Sequence, residues 1–181
     1  MGPSAVEGTG RVSGRHGGPG PGRVVVGVSG SLGSLAALRA AADEARRSGR
    51  RLVAVIAWEP PEGEYLYLRH PDPAWAAHWE QDARRRLDEA FADAFGGLPP
   101  GVEVREVAAR GRPGPALCTI AHRPDDLLVV GARSGTWRAR VRRYVLRHAE
   151  CPLLTVPAPR APKGAARELR RATAQDFALR V

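Results

Sequence analysis

Short apolar, β-branched runs recur along the chain and alternate with segments in which apolar residues fall at helical spacing. The first run covers residues 23–28, and a second run at 52–58 is apolar on both faces, as in a strand buried in a parallel sheet. Between them, apolar residues recur every three or four positions, at Leu35, Leu38, Ala42 and Ala45. These segments predict strand, helix and strand, and Ser48-Gly49 ends the helix.

A proline-rich loop is predicted after the second strand, and a long helix follows it. Asp72 can cap this helix and Pro73 can occupy its first turn. One stripe on it is apolar and aromatic, comprising Trp75, Trp79, Ala83, Leu87, Phe91 and Phe95. Trp75 and Trp79 are interpreted as core packing in preference to a lining of a ligand site.

The second half of the chain continues the alternation. It predicts an edge strand at 102–107, a helix near 113–122, a strand at 126–131, then an arginine-rich loop with a short helix, and a last strand at 153–156. The order βαβαβαβαβ favours an α/β fold, a Rossmann-like three-layer sandwich around a doubly wound parallel sheet. In such folds, ligands bind outside the carboxyl ends of the strands.

The expected organisation is one domain at 23–157, preceded by a flexible Gly/Pro-rich leader at 1–22 and followed by a basic tail at 158–181 with some helical content. No apolar run is long enough to span a membrane. We expect a cytoplasmic protein. The net charge is +9, and the segment after residue 159 contributes +4 of it. Because much of the positive charge lies outside the folded domain, we do not expect that domain to bind nucleic acid.

Few residues suggest catalysis or metal binding. The two cysteines, Cys118 and Cys151, lie in apolar segments far apart in sequence and are interpreted as buried packing thiols. The five histidines lack metal-ligand spacing, and no nucleophile elbow, P-loop or paired-carboxylate signature is present. We therefore expect no metal and no enzymatic activity.

Four segments together resemble the universal stress protein family. Residues 24–31 and 34–38 are similar to its opening strand and first helix, 127–131 to its fourth strand, and 141–152 to its closing helix and the entry to its last strand. The resemblance implies a five-stranded sheet in the order 3-2-1-4-5. It also implies a homodimer through the last strand, and a pocket for ATP or another adenine nucleotide.

The expected pocket departs from the family pattern. The resemblance places an acid at the end of the first strand, where this chain has Ser29. A glycine-rich phosphate motif should follow the fourth strand, and Gly131 matches its first glycine. Ser134 stands at the second glycine, with Gly135 one place late, while Ala139 and Arg140 replace a Gly-Ser pair. Arginine supplies neither bare backbone nor a hydroxyl at a helix start, so the motif is degenerate.

Two interpretations of the arginines remain open. In one, the arginines bind phosphate in place of the missing glycine-rich backbone, since guanidinium binds phosphate in a bidentate way. In the other, they form a solvated helix face. The arginines of this region are Arg133, Arg138, Arg140, Arg142, Arg143 and Arg147. Trp137 is interpreted as a cover for the shortened loop in preference to a base-stacking residue.

The candidate binding residues are Gly27, Val28, Ser29, Ala57, Gly131, Ala132, Arg133, Ser134, Gly135, Arg140 and Val141. The favoured function is a non-enzymatic stress-response protein that regulates through protein partners and carries a degenerate adenine-nucleotide pocket. One alternative is a sensor of ATP, ADP or AMP that uses arginines on phosphate. A weaker alternative is nucleic-acid binding through the arginine loop and the tail.

Overall fold

The computed structural model describes residues 22–61, 63–69, 71–132 and 136–159, so most of the predicted leader and tail lies outside these ranges. The elements are β1 (Val24–Val28), α1 (Leu32–Ser48), β2 (Leu52–Trp58), α2 (Glu64–Arg69), α3 (Pro73–Phe95), β3 (Val104–Arg110), α4 (Pro113–Ile120), β4 (Leu127–Ala132), α5 (Thr136–His148) and β5 (Leu153–Pro157). Apart from α2, this is the predicted order.

Within the described chain, the five strands form one parallel sheet in the order β3-β2-β1-β4-β5. The predicted strand order is therefore confirmed, with β3 and β5 at the edges. Val24 lies level with Leu52 of β2 and Leu127 of β4. Because the neighbouring strands start level, their carboxyl ends reach the same edge of the sheet.

Helices cover both faces of the sheet, each over its own core. α1 and α3 pack on one face, where Val26, Leu38 and Leu87 are fully buried. α4 and α5 pack on the other face, where Val25 and Val145 are fully buried. Successive strand residues point to opposite faces, so β1 supplies both cores from neighbouring valines. This is the predicted three-layer α/β architecture.

The capping residues set the ends of the two long helices. Asp72 accepts hydrogen bonds from the backbone N–H groups of Ala74 and Trp75 at 3.0 and 3.1 Å, and Pro73 occupies the first turn of α3. α1 ends at Gly49, whose φ of 66° lies in the left-handed region that glycine adopts without strain. The predicted caps of both helices are confirmed.

Four details of the predicted elements are wrong, the first being that β3 covers Val104–Arg110 instead of residues 102–107. The proline-rich loop contains α2, on which Tyr67 is buried beneath the guanidinium of Arg110, 4.0 Å from the ring centroid. α4 stops at Ile120, because Ala121 leaves helical geometry with φ −90° and ψ 63°. β4 begins and ends one residue later than predicted, at Leu127 and Ala132.

The core-packing interpretation is wrong for Trp75, which is 45% exposed. The first two turns of α3 contribute no buried residue, and burial begins at Ala83. Trp75 instead stacks on His78 with ring centroids 5.7 Å apart and meets Trp79 edge-on at 5.6 Å. Trp79 is half-buried.

A buried ion pair joins the amino ends of β1 and β4. The Asp126 carboxylate is fully buried and accepts from Nη2 and Nε of Arg23 at 2.6 and 3.0 Å and from the Arg23 amide at 2.9 Å. Arg23 Nη2 also donates to the Ile120 carbonyl at 2.8 Å, which ties in α4. Burial raises the pKa of Asp126, but the hydrogen bonds from Arg23 and Arg123 outweigh it, so the net pKa lies below the ordinary value.

The cysteines are free and half-buried, which is less burial than predicted. Cys118 and Cys151 pack at the border of the core beneath α4 and α5. Burial raises the pKa of both thiols, which keeps them protonated and unreactive near neutral pH. No helix in the described part of the chain is both long and apolar enough to cross a membrane.

Candidate functional site

The chain leaves β1 and β4 toward opposite faces of the sheet. α1 follows β1 onto the face that α3 shares, whereas α5 follows β4 onto the face of α4. Adjacent parallel strands whose connections diverge in this way open a crevice at their carboxyl ends. The structure therefore has a crevice at the position where ligands bind in doubly wound folds.

The turn between β1 and α1 forms one wall of this crevice. Gly30 has a φ of 66°, which an ordinary side chain adopts only with strain, and it lets the chain turn directly into the helix. Ser31 caps α1, and the Ser34 hydroxyl accepts from the backbone N–H groups of Ser31 and Ser29 at 3.0 and 3.2 Å. It also donates to the Ser31 carbonyl at 2.9 Å. The hydrogen-bonding capacity of Ser34 is thus committed to the turn.

Gly131 brings the end of β4 against the start of α1. A Cβ atom at Gly131 would lie 2.3 Å from the Gly33 carbonyl oxygen and 2.9 Å from the Ser34 nitrogen. Both neighbours are backbone atoms that cannot move aside. Close strand-helix packing is thus sufficient to require glycine at this position.

The central cavity lies between the ends of β1 and β4 and has a volume of about 270 Å³. Its lining combines glycines and serines of the β1–α1 turn with apolar side chains of α4 and α5. The lining residues are Gly27, Ser29, Ser31, Gly33, Ser34, Pro113, Leu117, Val130, Gly131, Val141 and Arg142. The serine-rich wall and the apolar wall together suit a ligand with both polar and apolar faces.

A second cavity of about 290 Å³ lies over the end of β2 and is walled by α3. Ala57 lines it beside Trp58 and Trp79, with Glu59 and Asp82 as its carboxylates. The indole Nε1 atoms of Trp58 and Trp79 are buried without a hydrogen-bond partner in the described chain. Buried polar groups are nearly always hydrogen-bonded, so these two unsatisfied donors are an unusual feature of the wall of this cavity.

A third cavity of about 320 Å³ lies between the amino end of α4 and the inner side of α5. Arg112 and Arg140 line it, together with Glu59 and Tyr144. Pro113 lines all three cavities. Each pair of cavities also shares one further lining residue, so the three lie side by side, and together they are called the three-lobed cleft.

The predicted site residues divide into three groups. Gly27, Ser29, Gly131 and Val141 line the central cavity, Ala57 lines the β2 cavity, and Arg140 lines the α4–α5 cavity. Val28 is 5% exposed within the core, and neither it nor Ala132 is among the lining residues of these cavities. Arg133, Ser134 and Gly135 lie outside the described residues.

Sequence reasoning missed several lining residues, chiefly Glu59, Arg112 and Pro113. All three lie just after the carboxyl ends of β2 and β3. The rule that ligands bind at the carboxyl ends of parallel strands was the available signal, applied only to β1, β4 and one residue of β2. Trp79 reaches the cleft from α3, which local sequence does not reveal.

The described residues offer no metal centre at this cleft. No group of three or more His, Cys, Asp or Glu side chains that could hold a metal ion occurs among them. The ring of His122 lies near the Thr119 carbonyl, with Nδ1 at 3.1 Å, and the ring of His148 packs on Tyr144 with centroids 4.3 Å apart. Neither ring is among the lining residues of the three cavities.

Comparisons with known proteins agree with this geometry. A model of the universal stress protein family matches residues 21–157. Curated universal stress proteins of Mycobacterium bovis and Mycobacterium tuberculosis are each 31% identical over 147 residues, covering 77% of this chain and 45% of their own length. The chain thus spans about half the length of these relatives.

Solved structures show the same fold. A universal stress protein in complex with cAMP is 28% identical, with a TM-score of 0.57, covering 77% of this chain and 99% of the other. A protein of the same family from Burkholderia pseudomallei is 26% identical, with a TM-score of 0.56, covering 78% and 100%.

A doubly wound sheet in the order β3-β2-β1-β4-β5, with a cleft at its switch point, defines a Rossmann-like α/β protein. Within that class, this chain belongs to the universal stress protein family. The resemblance seen in its sequence is thereby confirmed.

Proposed function

We propose that this chain is a non-enzymatic regulatory stress protein whose cleft recognises an adenine nucleotide through its base and sugar, and which holds ATP only weakly. The observation that carries the proposal is the three-lobed cleft around Pro113. A nucleotide has three chemically different parts, and the three lobes differ in a matching way. The protein then signals to a protein partner whether the cleft holds a nucleotide.

The β2 cavity suits the base. Its walls are largely apolar, with Ile56, Ala57 and two indole rings that can contact a flat heterocycle. The solved relative at 28% identity is a complex with cAMP, which supports an adenine nucleotide as the ligand.

The central cavity supports weak retention of a triphosphate. A phosphate cradle needs free backbone N–H groups and hydroxyls near a helix start. Here the Ser34 hydroxyl is committed to the turn, and Gly131 is packed against Gly33. The family pattern implies a Gly-Ser pair where this chain has Ala139 and Arg140.

The absence of catalysis is part of the proposal. Ser29 Oγ lies 3.2 Å from Ser31 Oγ, and no histidine or carboxylate activates either hydroxyl among the described contacts. A nucleophile needs such a base to react at neutral pH. We therefore expect binding without turnover.

We also propose a homodimer formed through β5 and a cytoplasmic location. β5 is an edge strand that pairs with β4 alone in the described sheet, and Leu154 on it is 39% exposed. An exposed apolar edge strand is a surface for pairing with a second copy. Two free thiols fit a reducing compartment.

Calorimetric titration of the full chain, stripped of nucleotide, tests the binding proposal. Adenosine, AMP, cAMP and ATP serve as parallel titrants, and guanosine serves as the base control. We expect saturable binding of adenosine and of the one-phosphate nucleotides, weaker binding of ATP, and no hydrolysis of ATP on prolonged incubation. A tight stoichiometric ATP complex, or equal binding of guanosine and adenosine, would contradict the proposal.

A further inference from the structure

The α4–α5 cavity has an arginine on each side. Arg112 is the residue before the first turn of α4, and Arg140 lies on the facing helix α5. The remaining walls include Pro113, Val141 and Tyr144, which are uncharged, and Glu59. Two arginines therefore line one cavity, one from the N-cap of α4 and one from α5.

Both guanidiniums are available to a ligand. No ion pair or hydrogen bond of the Arg140 side chain occurs among the described residues. Arg112 has an ionic contact with Glu59 whose Nε–Oε1 distance is 3.8 Å, longer than a hydrogen bond, and its side chain is 80% exposed. Within the described part of the chain, neither guanidinium is therefore held by a hydrogen bond.

The surroundings reinforce the positive potential. The first turn of α4 contains no acidic residue, and Arg112 makes no side-chain capping bond there. The whole of α5, from Thr136 to His148, contains five arginines and no carboxylate. Glu59 at the rim is the one acid that lines the cavity.

We infer that the α4–α5 cavity is a phosphate subsite in which Arg112 and Arg140 clamp a single phosphate group, while the base and sugar occupy the two neighbouring lobes. The inference rests on the proposed function. It adds the chemical class of the ligand, a nucleotide with one phosphate, and assigns a binding role to Arg112. Guanidinium forks bind phosphate oxygens without close backbone approach, so no glycine loop is required.

Charge and space both favour one phosphate over three. A phosphate monoester carries about −1.5 to −2 charges at neutral pH, which two guanidiniums balance. α4 and α5 touch at one end of the cavity, because a Cβ at Gly114 would lie 2.9 Å from the Tyr144 ring. That contact leaves no path for a longer phosphate chain in this direction.

The central cavity offers a competing position for the phosphate. Arg142 lines that cavity and follows Val141 in sequence, whereas Arg140 precedes Val141 and lines the α4–α5 cavity. Phosphate in the central cavity would make AMP binding depend on Arg142, and phosphate in the α4–α5 cavity would make it depend on Arg140. Arg143 is exposed and lines none of the three cavities, which makes it a matched control.

The test compares adenosine, AMP and cAMP on Arg112→Ala, Arg140→Ala, Arg142→Ala and Arg143→Ala variants of the full chain, each checked for folding by thermal melting. We expect Arg112→Ala and Arg140→Ala each to weaken AMP about tenfold and to leave adenosine within about twofold, because each loses charged hydrogen bonds to phosphate only. Arg143→Ala should match the wild type. A smaller loss for cAMP than for AMP identifies the monoester as the preferred phosphate, and an equal loss identifies either form as suitable; both support the clamp.

Two results would overturn the clamp. One is an equal loss of adenosine and AMP in the Arg112 and Arg140 variants, and the other is a larger loss of AMP in Arg142→Ala than in Arg140→Ala. Should the wild type bind no adenosine, the proposed function fails separately. The clamp is then tested with inorganic phosphate by NMR titration, where loss of binding in the same two variants supports it and unchanged or absent binding overturns it.

Discussion

The amino and carboxyl ends of the parallel sheet differ in how they treat polar groups. At the amino ends, the fully buried Asp126 is paired with Arg23 and accepts four hydrogen bonds from Arg23 and Arg123. At the carboxyl ends, the Trp58 and Trp79 indoles have no partner, and Arg140 has none among the described residues. The polar groups named at the amino ends are hydrogen-bonded, whereas those named at the carboxyl ends have no hydrogen-bond partner among the described residues.

This difference separates stability from binding within one sheet. A buried charge without its partner is costly, so the amino-end network stabilises the fold only while it is complete. Unsatisfied donors around a cleft stabilise nothing in the free protein, but they are ready to pair with a ligand. Substitutions at the two ends should therefore have different consequences.

The largest effect is expected at the amino end. Asp126→Ala removes the partner of the partly buried Arg23 and should lower the free energy of unfolding by about 3–5 kcal/mol, measured by urea denaturation. Asp125→Ala is the matched control, because Asp125 contributes its backbone carbonyl to Arg50, and it should change stability by less than about 0.5 kcal/mol. Similar losses in both variants would contradict the comparison.

The same network predicts an acid-dependent stability. The pKa of Asp126 lies below its ordinary value in the folded state, so its contribution is present above the unfolded value of about 3.9. It is lost as the pH falls through the lowered folded value. Urea titrations of the wild type and of Asp126→Ala should converge on acidification, and a constant difference down to pH 2 would be inconsistent with the pairing.

A packing effect is expected next, at the boundary between core and cleft. Gly131→Ala places a Cβ against the Gly33 backbone and should cost about 1–3 kcal/mol of stability. In Gly27→Ala, the new Cβ meets the Leu117 side chain at 2.9 Å, which can adjust, so the loss should be smaller. Thermal denaturation distinguishes the two, and a Gly131→Ala variant as stable as the wild type would refute the packing role.

Much smaller effects on stability are expected for the cleft arginines. Arg112→Ala and Arg140→Ala should shift the free energy of unfolding by less than about 0.5 kcal/mol, since both side chains are exposed and form no hydrogen bond among the described residues. Urea unfolding without ligand measures this. A loss near that of Asp126→Ala would make them structural and would remove the contrast between the two ends.

A small gain in stability is expected from a substitution on the edge strand β3. Burial and the neighbouring Asp88 carboxyl raise the pKa of Glu106, so the folded state binds its proton more tightly than the unfolded chain does. Stability is then highest below the ordinary glutamate value and falls as the pH rises through the raised value. Glu106→Gln should gain about 0.5 kcal/mol at neutral pH and nothing near pH 4.

Glu103→Gln is the control for that gain. Glu103 is exposed and forms an ion pair with Arg51, so its replacement should give no gain. Chemical denaturation at pH 4 and pH 7 compares the two variants. An equal gain in both at neutral pH would assign the effect to net charge instead of the Glu106–Asp88 contact.

Most of the fold was predictable because its signals are local. The double-sided apolar run of β2, the helical spacing of α1 and the Asp72-Pro73 start of α3 each depend on residues adjacent in sequence. α2 escaped detection because six residues between prolines carry too little periodicity to mark a helix. Trp75 was misassigned because spacing marks a helix face but not where the sheet beneath it ends.

The candidate site was predictable only in part. The family resemblance, together with the rule that ligands bind at the carboxyl ends of parallel strands, led to Gly27, Ser29 and Gly131, which line the central cavity. It did not lead to Arg112, whose relation to Arg140 depends on the packing of α4 against α5. Contacts between distant segments leave no periodic signal.

By itself, the sequence determined the alternation of strands and helices, the caps and the family of this protein, since these rest on neighbouring residues and on matching patterns. Only the tertiary structure decided which polar groups find partners. Asp126 and Arg23 lie 103 residues apart in sequence and meet because β1 and β4 are adjacent, whereas Arg112 and Arg140 line one cavity and their side chains form no hydrogen bond among the described residues. Pairing of charges depends on three-dimensional proximity and burial, and neither property can be read from local composition.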